Sequence, residues 1–259
     1  MKLRVSLVQF ARDRADKTKN VDHMLSTLSE IKNTDIVCLP EAWIGGGFFL
    51  EEKEHKSLLS SLSEIAAKNS YNLLTGGLFA RRGKRVFDSC HMINRDGRII
   101  GFYDKRFPST AFGEREFCSP GETSPIFMVD DVKIGVVICV DALYPELTRS
   151  LALNGACVIF NPSNIPENRN ELWKHISVTR AVENTVFYVF VNNTNTLYPD
   201  RRRVKGHSIV VAPDGEVILE ADEKEKLFQS DLKLNQIHKI RKRWQYLNDV
   251  RQLRNFPPK

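Results

Sequence analysis

The strongest constraint on this chain is a series of apolar, β-branched runs of strand length, recurring from one end to the other. They are LRVSLVQF, DIVCLP, YNLLTGGLF, CHMIN, RIIGFY, VKIGVVICV, ACVIF, VFYVFVNN, HSIVVAP and EVILEA. A strand with one wet face alternates apolar and polar residues. Several of these runs are continuously apolar, which predicts strands covered on both faces. Helical patterns fall between them. After Thr18, the residues Val21, Met24, Leu25, Leu28 and Ile31 recur at helical spacing, and Leu58, Leu59, Leu62, Ile65 and Ala66 form a second stripe. A third helix is expected to start at Pro145, with proline in its first turn, and to stop before Gly155. A fourth covers about 170 to 184, with Leu172, Trp173, Ile176 and Ala181 on one side. Asn94-Arg95-Asp96-Gly97 and Pro213-Asp214-Gly215 are turn signals, each fitting a hairpin.

The order strand–helix–strand–helix–strands therefore occurs twice, the second time from about Val132. No linker rich in Pro, Gly or Ser separates the two. This predicts an α/β chain forming one domain over residues 1–259, made of two similar halves whose sheets pack together with helices outside. The 42% apolar share is enough for a sizeable core. From about Asn235 the chain is charged, with scattered Trp244, Tyr246 and Phe256, and is expected to lie against a partner subunit.

Other features narrow the class. No stretch approaches the roughly 18 apolar residues of a membrane helix, and MKLRVSLVQFARDR reads as a buried strand and not as a leader. Five cysteines form no CxxC pair and leave one over in any pairing, which favours free thiols in a reducing cytoplasm. Asn192-Asn193-Thr194 matches a glycosylation sequon but ends an apolar run, so it is discounted. A net charge of +6 raises the question of nucleic acid. The basic residues are dispersed apart from Arg201–Arg203 and Arg241–Arg243, and neither run is interleaved with stacking aromatics, so a solvated basic surface is the expected reading.

Three reactive groups stand at three strand exits. DIVCLP runs into Glu41, RIIGFYD into Lys105, and VKIGVVI into Cys139. In α/β sheets, ligand sites lie beyond the carboxyl ends of strands. A thiol is nucleophilic only as thiolate, and a nearby carboxylate can take its proton. A buried ammonium, with the backbone N–H of Val140, can hold the oxyanion that forms when a carbonyl is attacked. Each residue also has a plain reading: Cys139 as an inert buried thiol, Glu41 as a helix cap, Lys105 beside Arg106 as surface charge.

At this point the residues resemble a family. VSLVQF, LPEAW around Glu41, YDKRF around Lys105, ICVDALYPEL around Cys139, RAVEN at 180–184 and GHSIVVAPDGEV at 206–217 are similar, in order, to motifs of the nitrilase (carbon–nitrogen hydrolase) superfamily. The resemblance covers nearly the whole chain. It implies a four-layer α-β-β-α sandwich, paired through a two-fold into a homodimer or larger homo-oligomer. It also implies Glu41 as base, Lys105 as oxyanion stabiliser and Cys139 as nucleophile, with no metal and no organic cofactor. A second glutamate is implied in EREFCSPG, where Glu114 takes the place and Glu116 is the alternative; it would position the substrate or assist proton transfer. Cys139-Val140-Asp141 resembles the amidase branch and not the C-W-E of nitrilases, which implies a small amide or carbamoyl compound as substrate.

Two departures stand out. Amidase-type members often carry an arginine two positions after the aspartate of C-x-D, where it holds a substrate carboxylate; here that position is Leu143. Amides without a carboxylate are therefore expected to serve at least as well, with Arg201–Arg203 as another source of charge. Secondly, Arg106-Phe107-Pro108 follows YDK where histidine and leucine are common. Val140 and Trp43 are the expected substrate contacts. Pocket walls are expected from 43–49, 107–114 and 164–170, and Gly45-Gly46-Gly47, lacking the lysine of a phosphate loop, as an entrance loop.

Overall fold

In a computed structural model, described at residues 1–45, 47–198 and 200–253, the elements follow one another as β1 (Lys2–Gln9), α1 (Lys17–Glu30), β2 (Ile36–Cys38), α2 (Glu52–Asn69), β3 (Asn72–Leu74), β4 (Leu78–Arg82), β5 (Arg85–Ile93) and β6 (Ile99–Asp104). The second series is β7 (Phe127–Val129), β8 (Val132–Val136), α3 (Pro145–Leu153), β9 (Val158–Pro162), α4 (Asn170–Asn184), β10 (Phe187–Val191), β11 (Thr196–Leu197) and β12 (Arg203–Val204). It ends with β13 (Ile209–Val211), β14 (Val217–Glu220), β15 (Lys226–Lys233), α5 (Asn235–Arg243) and α6 (Tyr246–Gln252).

The two halves share one plan. β1, β2 and β3 are parallel, and β5 adds to β3 antiparallel. Likewise β8, β9 and β10 are parallel, and β13 adds to β10 antiparallel. The first sheet runs β15-β1-β2-β3-β5-β4 with β6 also on β5, and the second runs β14-β13-β10-β9-β8-β7. Both expected turns join antiparallel strands, at 94–97 between β5 and β6 and at 213–215 between β13 and β14.

Strand periodicity explains why these runs are apolar throughout. Leu3, Val5 and Leu7 of β1 pack in one cluster with Ile134 and Val136 of β8, between the sheets. Val8 and the following Phe10 point the other way and pack with Met24, Leu28, Leu58 and Leu62 of α1 and α2. α3 and α4 cover the second sheet through contacts with β8, β10 and β13. The result is the expected four layers, helices–sheet–sheet–helices. Truncating Leu28 or Leu62, both without exposed surface, to alanine would cost about 2–5 kcal/mol.

The structure departs from the sequence reading in two places. YNLLTGGLF is two strands and not one, because Gly76 takes φ +70° and passes so close to Pro40 that a Cβ there would lie 2.0 Å from its carbonyl oxygen. β15, in which polar and charged residues outnumber apolar ones, was not expected as a strand; it pairs antiparallel with the whole of β1, supported by Lys2 and Arg4 on Asp231 at 2.7 and 2.8 Å. Separately, the described part of the tail makes contacts within its own chain. Ile237 and Leu247 are buried, and Arg241 donates to the carbonyl of Ala156 at 2.9 Å. Phe256 and Gly46, to which the tail and entrance-loop expectations also refer, lie outside the described residues. Asn192 and Asn193 of the sequon have no exposed surface. Among the described residues, no helix is long and apolar enough to cross a membrane.

Candidate active site

Glu41 lies just beyond β2, between a proline and Ala42, whose φ is +51°. Its backbone is fastened to the other half of the molecule. Its N–H donates to the Ser163 carbonyl at 3.2 Å, and its carbonyl accepts from Asn193 Nδ2 at 2.7 Å. Lys105 follows β6 directly, donating its N–H to the Asp88 carbonyl at 2.9 Å. Cys139 lies three residues past β8 at φ +48°, opening a 3-10 turn over Cys139–Leu143.

A left-handed backbone at a non-glycine residue costs of order 1–3 kcal/mol and persists only where its surroundings impose it. Here three side chains do so. Asn161 Nδ2 donates to the carbonyls of Val137 and Cys139 at 2.9 and 3.3 Å. Arg180, the first residue of RAVEN, donates Nε to the Ala142 carbonyl at 2.8 Å and pairs with Glu183 at 2.8 Å. Asp141 accepts from the backbone N–H groups of Arg106 and Phe107 at 3.0 and 2.9 Å and from Tyr103 O–H at 2.6 Å. Asp141 thus ties the turn at Cys139 to the segment carrying Lys105. Burial raises the Asp141 carboxyl to about 6, against the pull of the Tyr103 hydrogen bond.

Lys105 is the hub. Its Nζ donates to Glu41 Oε1 at 2.6 Å, lies 2.9 and 2.7 Å from the two oxygens of Glu114, and is 3.5 Å from Asp88 Oδ2. Burial alone would lower its pKa; Glu41, Cys139, Glu114 and Asp88 outweigh that and hold it well above the usual lysine value. It is therefore an ammonium and a charged donor. Glu114 also accepts from the Ser109 N–H at 2.6 Å, while Glu116 is exposed, so Glu114 is the residue at this cluster. The carboxylates of Glu41, Asp88 and Glu114 lie within 4.8 Å of one another, a spacing a divalent cation would accept, but the Lys105 ammonium already fills the space between them.

Cys139 is buried, and that burial pushes its thiol well above the ordinary cysteine value. Glu41 pushes in the same direction, and Lys105 and the Asn164 N–H act against it. At rest the sulfur is a thiol, so nucleophilic attack requires a base. Cys139, Glu41 and Glu114 share a cavity of about 270 Å³. That is small against typical ligand pockets, which begin near 300 Å³. Val140 lines it, together with Leu143, Leu172 and Trp173 on one wall and Phe112 on another.

Trp43 is not part of this cavity. Its ring is wholly buried against Phe10, and its Nε1–H donates to the Thr75 carbonyl at 2.9 Å, so it supports the Glu41 turn from behind. Of the three expected wall segments, 107–114 and 164–170 line the cavity; from the first stretch only the neighbouring Glu41 and Ala42 do. Phe107 instead stacks on Tyr144 with ring centroids 3.9 Å apart. Arg202 of the basic run reaches the cavity mouth, stacked over Tyr198 and paired with Asp200 at 2.8 Å.

Sequence reasoning missed Asp88 and Trp173, and within the expected 164–170 wall it did not single out Arg169. Asp88 had a signal, an acid inside the apolar run VFDSCHMI. Arg169 stands at the cavity mouth with no ion-pair partner among the described residues. Trp173, 5% exposed, lines the same cavity, and its Nε1–H has no acceptor among the described residues.

Comparison with known proteins identifies the family. A family profile described as carbon-nitrogen hydrolase matches residues 4–242. The 2-oxoglutaramate amidase of Bacillus subtilis is 27% identical, covering 97% of this chain and 98% of its own. The omega-amidase NIT2 of Danio rerio is 30% identical over 97% of this chain and 92% of its own. Among solved structures, Saccharomyces cerevisiae Nit3, a member of branch 10 of the nitrilase superfamily, superposes with a TM-score of 0.84 at 27% identity, covering 94% of each chain.

Proposed function

Because the chain belongs to the carbon–nitrogen hydrolase family, we propose that it hydrolyses the C–N bond of a small amide through a thioester on Cys139. The observation that carries this reading is a buried, protonated thiol sharing a cavity with Glu41, whose carboxylate is bonded at 2.6 Å to the Lys105 ammonium. The base and the oxyanion donor are already adjacent.

The Cys139 thiol passes its proton to Glu41 as its sulfur bonds to the amide carbon. The carbonyl π electrons move to oxygen, and that oxyanion is held by the Lys105 ammonium and the Val140 N–H. Collapse breaks the C–N bond as Glu41 returns its proton to the leaving nitrogen, releasing ammonia. Glu41 next takes a proton from water, whose oxygen attacks the thioester carbon. The C–S bond breaks, and the proton on Glu41 restores the thiol. Glu114, gripping Lys105 with both oxygens, positions the ammonium.

The far end of the substrate supports a second, finer reading. Leu143 and Leu172 make that wall apolar, but Arg169 and the Trp173 N–H, neither with a partner among the described residues, offer an anchor for an anion. 2-Oxoglutaramate, named for one relative, has an amide at one end and an acid at the other. We therefore favour monoamides of short dicarboxylic acids, held at Arg169 and not at position 143.

The test is ammonia release from a panel pairing such monoamides with alkanamides of equal length, using the wild type and Cys139→Ala. Activity is expected to fall by about 10⁴-fold or more in Cys139→Ala. An acyl adduct on Cys139 should appear by mass spectrometry after rapid acid quench. Turnover by Cys139→Ala at a comparable rate would end the thioester reading. Alkanamides matching the acidic amides would restore the expectation from Leu143.

A further inference from the structure

Asp88 has no place in the mechanism above, yet it lies inside the charged cluster. It sits on β5 opposite Phe79 of β4, with no exposed surface. Gly77 makes the approach of Asp88 to Glu41 possible: a Cβ there would lie 2.6 Å from Asp88 Oδ1 and 2.9 Å from Glu41 Cγ.

The cluster holds three carboxyl groups and a thiol against one ammonium. With all three carboxyls ionised, the site would carry two uncompensated charges at under 5% exposure, and a buried charge without a partner is strongly unfavourable. At least one proton must stay. Glu41 accepts from Lys105 at 2.6 Å, and Glu114 accepts from Lys105 and from the Ser109 N–H. Neither oxygen of Asp88 accepts a hydrogen bond among the described residues, and its approach to Lys105 is only 3.5 Å. The proton therefore resides where ionisation is least rewarded.

We propose that Asp88 is a positioning residue that holds a proton on the buried side of Glu41 and donates it to the Glu41 carboxylate, keeping the base aimed and the site near neutral charge. This rests on the reading of Glu41 as the base for Cys139. Burial, reinforced by Glu41 and Glu114 against Lys105, raises the Asp88 carboxyl well above the usual range, in the same direction. The other titratable groups facing Asp88 are the Cys90 and Cys118 thiols, each raised to about 12 by burial, so neither supplies a competing charge near neutral pH.

The consequence appears at alkaline pH. Loss of the Asp88 proton adds a negative charge beside Glu41, which opposes both the Cys139 thiolate and the oxyanion. Asp88 should therefore set an alkaline limb on kcat. Asp88→Asn keeps a donor of the same shape without the titrating proton. It should cost about tenfold in kcat at neutral pH while moving the alkaline limb up by at least about one pH unit. Asp88→Ala, with no donor, should lose about a hundredfold in kcat with KM little changed, since Asp88 does not line the cavity. The second readout needs no substrate: the rate of Cys139 alkylation by iodoacetamide against pH, followed by mass spectrometry. In Asp88→Asn that profile should shift by about one pH unit toward lower pH in the alkaline range and coincide with wild type near neutrality. Alkylation profiles of Asp88→Asn and wild type that superimpose throughout overturn the proposal, as does an Asn variant as damaged as Ala. Shifted alkylation without amide turnover would instead sink the hydrolase reading and leave Asp88 in its role.

Discussion

The two halves of the molecule are built alike and used differently. Each presents three parallel strands linked by two helices, followed by an antiparallel strand. The first half delivers Glu41 from the exit of its second strand and adds Asp88, Lys105 and Glu114. The second delivers Cys139 from the exit of its first strand and adds neutral donors, the Asn161 amide and the Trp173 indole. At the exit of β9, the counterpart of the Glu41 position, stand Ser163 and Asn164. The scaffold repeats but its contents are divided: the lysine–carboxyl cluster comes from one half, and Cys139 with the Leu143, Leu172 and Trp173 wall from the other. Such a division keeps three carboxyl groups around one lysine and places the Cys139 thiol within their field, where burial and Glu41 hold it protonated at rest.

The comparison is tested most severely by Lys105→Ala. On the proposed role of Lys105 as oxyanion donor, its loss should lower kcat by about 10²–10³-fold. It should also leave Glu41, Asp88 and Glu114 without a cation, a loss of about 3–5 kcal/mol for a buried pair broken on one side. Asp88 and Glu114 are already raised by burial, so protonation relieves the variant. A carboxyl raised in the folded state contributes stability at low pH that is lost as pH rises through its folded value. The gap in Tm between wild type and Lys105→Ala should thus be wider at pH 8 than at pH 5.5. An equal gap at both would mean that the carboxyls do not share one buried field.

On the other sheet, the expected damage is geometric. Arg180, 8% exposed, holds the Ala142 carbonyl and so the turn at Cys139. Arg180→Ala should cost about 1.5–3 kcal/mol of stability. It should also lower kcat about tenfold with KM nearly unchanged, because the nucleophile is displaced while the cavity wall stays. If KM rose and kcat held, Arg180 would belong to substrate binding and not to the elbow.

Much of this was legible in the residues. The buried runs foretold strands covered on both faces, and the exits at Glu41, Lys105 and Cys139 foretold a site at the strand ends. What was hidden has physical causes. β15 mixes Lys226, Gln229, Ser230, Asp231 and Lys233 with only three apolar residues, because it is an edge strand whose Asp231 meets Lys2 and Arg4 of β1, a composition that reads as surface loop. Trp43 is adjacent to the base in sequence, but the left-handed Ala42 turns it inward, and no propensity encodes that turn. Asp88 and Trp173 come from elements remote in sequence from Cys139, so their part in the site exists only once the sheets are stacked.

The smallest effect concerns the mouth of the cavity, and it separates the neutral wall from the charged one within the second half. Among the described residues, Arg169 has no ion-pair partner and the Trp173 N–H no acceptor, whereas Arg202 is already matched by Asp200 at 2.8 Å. An exposed arginine that meets a carboxylate in a water-filled mouth contributes modestly, about 0.2–1 kcal/mol for a screened pair and more where the ligand excludes water. Arg169→Ala should therefore raise KM about threefold to tenfold for a monoamide of a short dicarboxylic acid and leave kcat nearly unchanged. The length-matched alkanamide should not respond, having no charge to lose. Added salt should shrink the difference in the wild type and do little in the variant, as screening requires. If both amides lost ground equally in Arg169→Ala, the arginine would be shaping the mouth and not reading charge, and Leu143 would again be the better guide to the substrate.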